Sequence, residues 1–269
     1  MRKTLFSGIA ACLLATAATA AEQSPSVIWT VGQADRSASE FALAPDRFRD
    51  FLANDFGYED KYFLVGHSVP AADFPYVLPG PADTWGGTWP TSGWRTHQVN
   101  ILFGLKEIPS DGTCTLVVDL LDYAKNFLPL VKVSVNTQDA KFQLDAPGLS
   151  VADQRKPNQM EKIVDTLSIT GNLAKATPRR LEIPIRPGVL KAGGNEVTIT
   201  VLEGSWILFD RVSLEGPAGT NVEQPQQLFI RNIEAAPYEL ADGKRRVQPL
   251  LVDLEWLEGA PALSVELDG

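Results

Sequence analysis

Short runs of β-branched and aromatic residues, separated by glycine, proline, asparagine and aspartate, recur along almost the whole chain. Val27–Val31, Tyr62–Val65, Val99–Phe103, Thr115–Leu121, Leu130–Val135 and Lys141–Leu144 form the first part of the series. Leu181–Ile185, Val197–Leu202 and Trp206–Leu214 form the second. Runs this short, with turn residues between them, fit strands that return on one another in a sandwich or barrel. Val131, Val133 and Val135 alternate with Lys132 and Ser134, which gives such a strand one dry face and one wet face. The expected fold class is therefore all-β, an antiparallel β-sandwich of the jelly-roll kind, with one short helix and a partial β tail. The helix is expected at Pro45–Leu52, where Phe48, Phe51 and Leu52 share a face and Pro45 suits the first turn. The polar stretch 154–177 is ambiguous between a long loop and a loop with one helical turn.

The first twenty residues read differently. Arg2 and Lys3 precede an apolar stretch from Thr4 to Leu14, and the small residues Ala18-Thr19-Ala20 follow. That is the pattern of a secretory signal peptide, too short for a membrane span. Ile9-Ala10-Ala11-Cys12 also allows a lipoprotein reading, against which stand the very short apolar stretch and the good cleavage site after it. An exported protein, periplasmic or extracellular and beginning near Ala21, is the expectation. Removing residues 1–20 from the 269 leaves 249, and losing Arg2 and Lys3 takes the formal net charge from −9 to −11. An acidic chain of this kind argues against nucleic acid and anionic lipid as partners, and no membrane insertion is expected. A neutral polysaccharide is compatible with it; an acidic one requires a local cationic patch or a bridging ion. Cys114 is left without a second cysteine, so no intrachain disulfide forms, and its apolar neighbours suit a buried thiol.

Three segments follow from the punctuation. Residues 26–216 carry the strand series, 217–227 read as a polar linker, and 228–269 restart the strand pattern at Leu228–Ile230, Leu250–Leu254 and Leu263–Leu267. Three strands do not close a sandwich. The tail is therefore either packed on the main domain or the start of a second, incomplete β-sandwich, with further domains beyond Gly269; the second is the favoured reading.

Catalytic motifs are absent. The sequence has no Gly-x-Ser-x-Gly elbow, no His-Glu-x-x-His helix and no phosphate-cradling glycine loop, and only two histidines, His67 and His97. Its carboxylates form no dyad that spacing alone identifies. The informative cluster is aromatic: Trp85, Trp89 and Trp94, with Arg95, lie in a glycine- and proline-rich stretch. Either the three indoles plug one end of the sandwich, or they form a platform for the apolar faces of sugar rings. In the second case Arg95, Asp83, Asn100 and His97 lie close enough in sequence to meet ligand hydroxyls. Trp29 and Trp206 fall in strands and are expected in the core.

Three blocks resemble a known family. Ile28–Asp35 with Glu40-Phe41, Tyr62–Ser68 with Ala72–Pro75, and Gly194–Val197 through Phe209–Glu215 are similar to the third domain of polysaccharide lyase family 4, the rhamnogalacturonan lyases. The resemblance spans roughly residues 26–216 and implies a jelly roll similar to carbohydrate-binding modules. Catalysis in that family belongs to a different, N-terminal domain that nothing here matches. The resemblance also implies a structural calcium ion, for which Glu40 and Asp210 are the candidate ligands. The resulting expectation is an exported polysaccharide-binding domain associated with polysaccharide degradation, with rhamnogalacturonan as one candidate glycan. The alternatives are a lyase or glycoside hydrolase acting on pectic-type glycans, and a structural spacer or protein-interaction domain.

Overall fold

The computed structural model describes residues 26–87, 96–109, 113–145 and 167–259. Within them the order is β1 (Ser26–Gly32), β2 (Tyr62–Leu64), one helical turn α1 (Pro70–Asp73), β3 (Val77–Leu78), β4 (Gln98–Leu105) and β5 (Thr115–Tyr123). β6 (Leu130–Val135), β7 (Gln138–Gln143), β8 (Arg179–Pro184), β9 (Gly193–Glu203) and β10 (Ile207–Gly216) complete the two main sheets' long strands. The tail adds β11 (Val222–Glu223), β12 (Leu228–Ala235), β13 (Leu240–Asp242), β14 (Arg245–Val247) and β15 (Leu250–Trp256). The nine strands expected between Val27 and Leu214 are all present, with ends shifted by a few residues.

One sheet has the order β1-β10-β5-β8, with β3 also on β10; the other has the order β11-β4-β9-β6-β7, with β2 also on β4. Every pair is antiparallel except β2 with β4. The inner faces meet as the alternation requires. Val131, Val133 and Val135 of β6, and Val197, Ile199 and Val201 of β9, are fully buried. They face Leu116, Val118, Val212 and Leu214 of the first sheet within one apolar cluster. Each such side chain contributes about 1.5–3 kcal/mol on burial. Trp29 lies in this core against Phe103, ring centroids 5.2 Å apart, and Trp206 is buried too. Cys114 is free and buried, and burial pushes its thiol pKa up.

The helix expected at Pro45–Leu52 is replaced by two 3-10 turns, Phe48–Asp50 and Leu52–Asn54. An i, i+3 pair of phenylalanines shares a face in either helix type, so Phe48 and Phe51 reach the core without a full α-helix. The segment is also too short to support one: Asp55, in the left-handed region, reverses the chain.

The segment read as a linker is tied down at Val222–Glu223, which pair with Leu105 and Gly104 at the edge of β4. The tail then crosses the outer face of the second sheet. Phe229 of β12 is buried on Leu64 and Leu102, flanked by Tyr62 and Leu257. The close approach depends on Gly194, where a β-carbon would stand 2.3 Å from the Ile230 carbonyl oxygen. Arg231 fixes the contact through ion pairs to Glu196 (3.2 Å) and Glu255 (2.9 Å). The register pairs Leu228 with Trp256, Ile230 with Leu254, Ile233 with Val252 and Ala235 with Leu250. These four pairs make an apolar face turned away from the sandwich, on which Ile233 and Trp256 are about half exposed.

Candidate functional site

Along the middle of β4, β9, β6 and β7 the residues opposite the core are polar, and the register aligns them in rows. Gln98 pairs with Thr200, Thr200 with Lys132, and Lys132 with Lys141. Beside this row, Asn100 pairs with Thr198, Thr198 with Ser134, and Ser134 with Asp139. The two rows form the floor of a groove. Glu59, in the loop before β2, stands at one side, and Arg231 and Asp253 of the tail stand at the other. The groove comprises two adjoining depressions of about 580 and 530 Å³ that share Ser134, Asn136, Glu196, Thr198, Arg231 and Asp253. Depressions of this size suit a few linked sugar rings better than an extended protein surface.

The floor is held rigid from within. Asn100 is buried; its amide donates to the carbonyls of Glu59 (3.2 Å) and Tyr58 (3.4 Å), anchoring the side loop. Its carbonyl oxygen accepts from Gln98 (3.0 Å) and Thr198 (3.3 Å). Asn136, in the left-handed region that asparagine tolerates, donates to Val189 O (2.7 Å) and accepts from Glu196 N (2.9 Å). Asp139 takes Ser134 Oγ at 2.7 Å and Lys132 Nζ at 3.0 Å, and these contacts hold its carboxyl pKa below the usual value. At the tail edge, burial and then the charge of Glu255 push the Tyr62 phenol pKa up to about 12, so the ring there remains neutral.

The outer face of the first sheet is a contrast. There Asp119 pairs with Arg211 (2.9 Å) and Arg180 (3.3 Å), and both arginines also reach Glu215. That face is a closed lattice of ion pairs. The groove floor presents hydroxyl and amide groups, and those are what a polyhydroxylated ligand exchanges for water.

The residues singled out from the sequence are dispersed. Trp89, Trp94 and Arg95 lie outside the described residues. Trp85 is half-buried, its ring edge-on to Phe48 (5.0 Å, 79°) and Phe51 (6.3 Å, 85°). His97 is buried against Phe51 (5.4 Å) and fills the space over Gly57, away from the groove. Asp83 is buried and accepts from Gly80 N and Ser205 Oγ. Glu40 accepts from Gln33 N at 2.9 Å and Asp210 from Arg36 N at 3.0 Å. Among the described residues no group of three or more His, Cys, Asp or Glu side chains could hold a metal ion. A calcium ion at Glu40 and Asp210 would have to complete its shell with main-chain carbonyls and water. Burial first, then the charges of Asp35 and Asp119, push the Asp210 carboxyl pKa up to about 6.

The groove residues Thr198, Thr200, Lys132 and Ser134 carry no motif. Their only sequence signal is strict alternation with valine and isoleucine.

A family model described as the carbohydrate-binding-module-like domain III of polysaccharide lyase family 4 matches residues 27–214. The chain belongs to this family. The match covers the two main sheets from β1 to within β10, and β12–β15 lie outside it. No curated protein matches the chain. Among solved structures, a family GH115 4-O-methyl-alpha-glucuronidase with specificity for decorated arabinogalactans is similar at 16% identity and a TM-score of 0.25. That similarity covers 44% of this chain and 13% of the glucuronidase. For this domain III relative, the polysaccharide lyase family 4 match establishes the kind of β-sandwich and leaves its ligand open.

Proposed function

We propose that the chain is an exported, non-catalytic polysaccharide-binding domain that holds its glycan in the groove across β4, β9, β6 and β7. The observation that carries this reading is the pair of aligned rows of hydroxyl, amide and amine side chains, walled by the Glu59 loop and the β12–β15 tail. Membership in a carbohydrate-binding-module-like family supports it, and the signal-peptide pattern of residues 1–20 supports export. The apolar outer face of β12–β15 supports the expectation that more polypeptide packs there, as in a second β-sandwich.

The test is retention of the protein by immobilised or insoluble polysaccharides, with Thr198→Val and Ser134→Ala measured beside the wild type. Each variant loses one hydrogen bond, worth about 1 kcal/mol, so its melting temperature should fall by no more than about 2–4 °C while it binds several-fold more weakly. Unchanged retention in both would remove the groove from the reading. Release of unsaturated uronates or reducing ends by the wild type would make the protein an enzyme.

A further inference from the structure

Exposed apolar surface is concentrated in the tail. Nine of the fourteen large apolar side chains exposed among the described residues lie between Ile230 and Trp256. The register of β12 on β15 collects five of them, Ile230, Ile233, Leu250, Val252 and Trp256, on the face turned away from the sandwich, at 38–54% exposure. At about 200 Å² for a large side chain, that is on the order of 500 Å² of apolar surface in one strip, near the upper end of what a monomer leaves bare. A standard interface takes about 800 Å² from each partner, and in homodimers about 65% of it is apolar, which again is near 500 Å². The strip therefore has the size that a copy of itself covers.

Charge sets how two copies face each other. β12 leads out to β13 and β14 leads back to β15, so the four strands are one long hairpin with its turn at Gly243-Lys244. At that turn Lys244 and Arg245 are exposed and make no ion pair with a described residue. At the opposite end, near Leu228 and Trp256, the exposed Glu223 and Glu258 are equally without an ion pair among the described residues. Two such faces related by a two-fold axis run either in the same direction, which sets like ends together, or in opposite directions, which brings each basic turn to the acidic end of the other copy. We propose that a second copy of this chain covers the β12–β15 face in the antiparallel sense, an inference that rests on the reading that further polypeptide packs there. The groove lies on the other side of the hairpin, past Arg231 and Asp253, so the dimer presents two grooves and holds one polysaccharide by both.

The experiment is sedimentation velocity of the mature protein across a concentration series, with variants at exposed positions beside the wild type. The wild type should pass from monomer to dimer at micromolar protein. Ile233→Glu should stay monomeric and keep the wild-type circular dichroism. The Lys244→Glu, Arg245→Glu double variant should dimerise about ten-fold more weakly at low salt, and adding Glu223→Lys and Glu258→Lys to it should restore the dimer. A dimer lost in Ile233→Glu yet indifferent to the charge reversals would overturn the antiparallel arrangement. A dimer that survives Ile233→Glu would overturn this face as its interface. A wild type that stays monomeric would overturn the second copy, and an apolar dye then separates two cases. No dye bound means that another segment of the same chain covers the face, and the reading beneath the proposal stands. Dye bound by the wild type and less by Ile233→Glu means that the face is bare, and that reading falls as well.

Discussion

Replacing Trp85 with alanine separates a packing role from a sugar platform. The indole lies edge-on to Phe48 and Phe51, and Phe51, fully buried, in turn contacts Phe56 and His97. Removing it opens a hole beside its two phenylalanine neighbours. A fully buried tryptophan replaced by alanine costs about 3–5 kcal/mol, and half-burial places Trp85 near the lower end, about 3 kcal/mol. The two edge contacts, about 0.5–1.5 kcal/mol each, are part of that sum. For a domain of this size the loss lowers the melting temperature by about 6–12 °C. Scanning calorimetry of Trp85→Ala and Trp85→Phe measures it directly; phenylalanine should recover roughly half, since it restores one edge contact. Glycan retention, measured on protein kept well below its melting point, should be unchanged in both. A Trp85→Ala protein that melts with the wild type and has lost its glycan would refute the packing argument and return the indole to the ligand.

Further outcomes follow from the same geometry. With chelator present, Asp210, raised from 3.8 to about 6, contributes stability that is complete below about pH 4 and is lost as pH rises through 6. That term amounts to ~3 kcal/mol; urea unfolding at pH 4 to 8 should show it in the wild type and not in Asp210→Asn, and parallel curves would refute it. If Glu40 and Asp210 hold calcium, adding the ion after chelation raises the melting temperature of the wild type and leaves Asp210→Asn unmoved; no rise in the wild type removes the ion. Phe229→Ala empties the contact with Leu64 and Leu102, at a local cost of about 3 kcal/mol, and should make the chain near residues 217–227 an early site of limited proteolysis. Equal cleavage rates in variant and wild type would show that the Phe229 contact does not hold the tail.

The strands were legible because their signal is local. A run such as Leu130–Val135 states its two faces in six residues, and the structure uses them as written. The turn segment at Phe48–Asn54 misled because i, i+3 spacing does not distinguish an α-helix from a 3-10 turn. The groove was not legible for a different reason. Thr198 and Thr200 read as an ordinary solvated face until β4 pairs with β9 and brings Asn100, 98 residues away, to Thr198. The tail's contact had the same character: Phe229 finds Leu64 and Leu102 on two strands more than a hundred residues earlier. The tryptophan cluster was conspicuous in composition, yet the one indole described faces inward, because Phe48 and Phe51 provide an apolar socket that a list of residues does not reveal.

The pairing of β1 with β10 sets the order in which this molecule can fold. β1 has no other neighbour in its sheet, and Ser26 meets Gly216 across 190 residues of chain. Closing a loop of that length costs about 2–3 kcal/mol more than closing a ten-residue hairpin, and no local contact repays it in advance. Folding is therefore expected in milliseconds to seconds rather than microseconds, with β5, β8 and β10 assembling before β1 is captured. In a chain that emerges N-terminus first, Trp29 and Val31 have no partner strand until β10 has followed them. For that whole interval the first strand remains available to any binding factor that recognises an unpaired apolar segment.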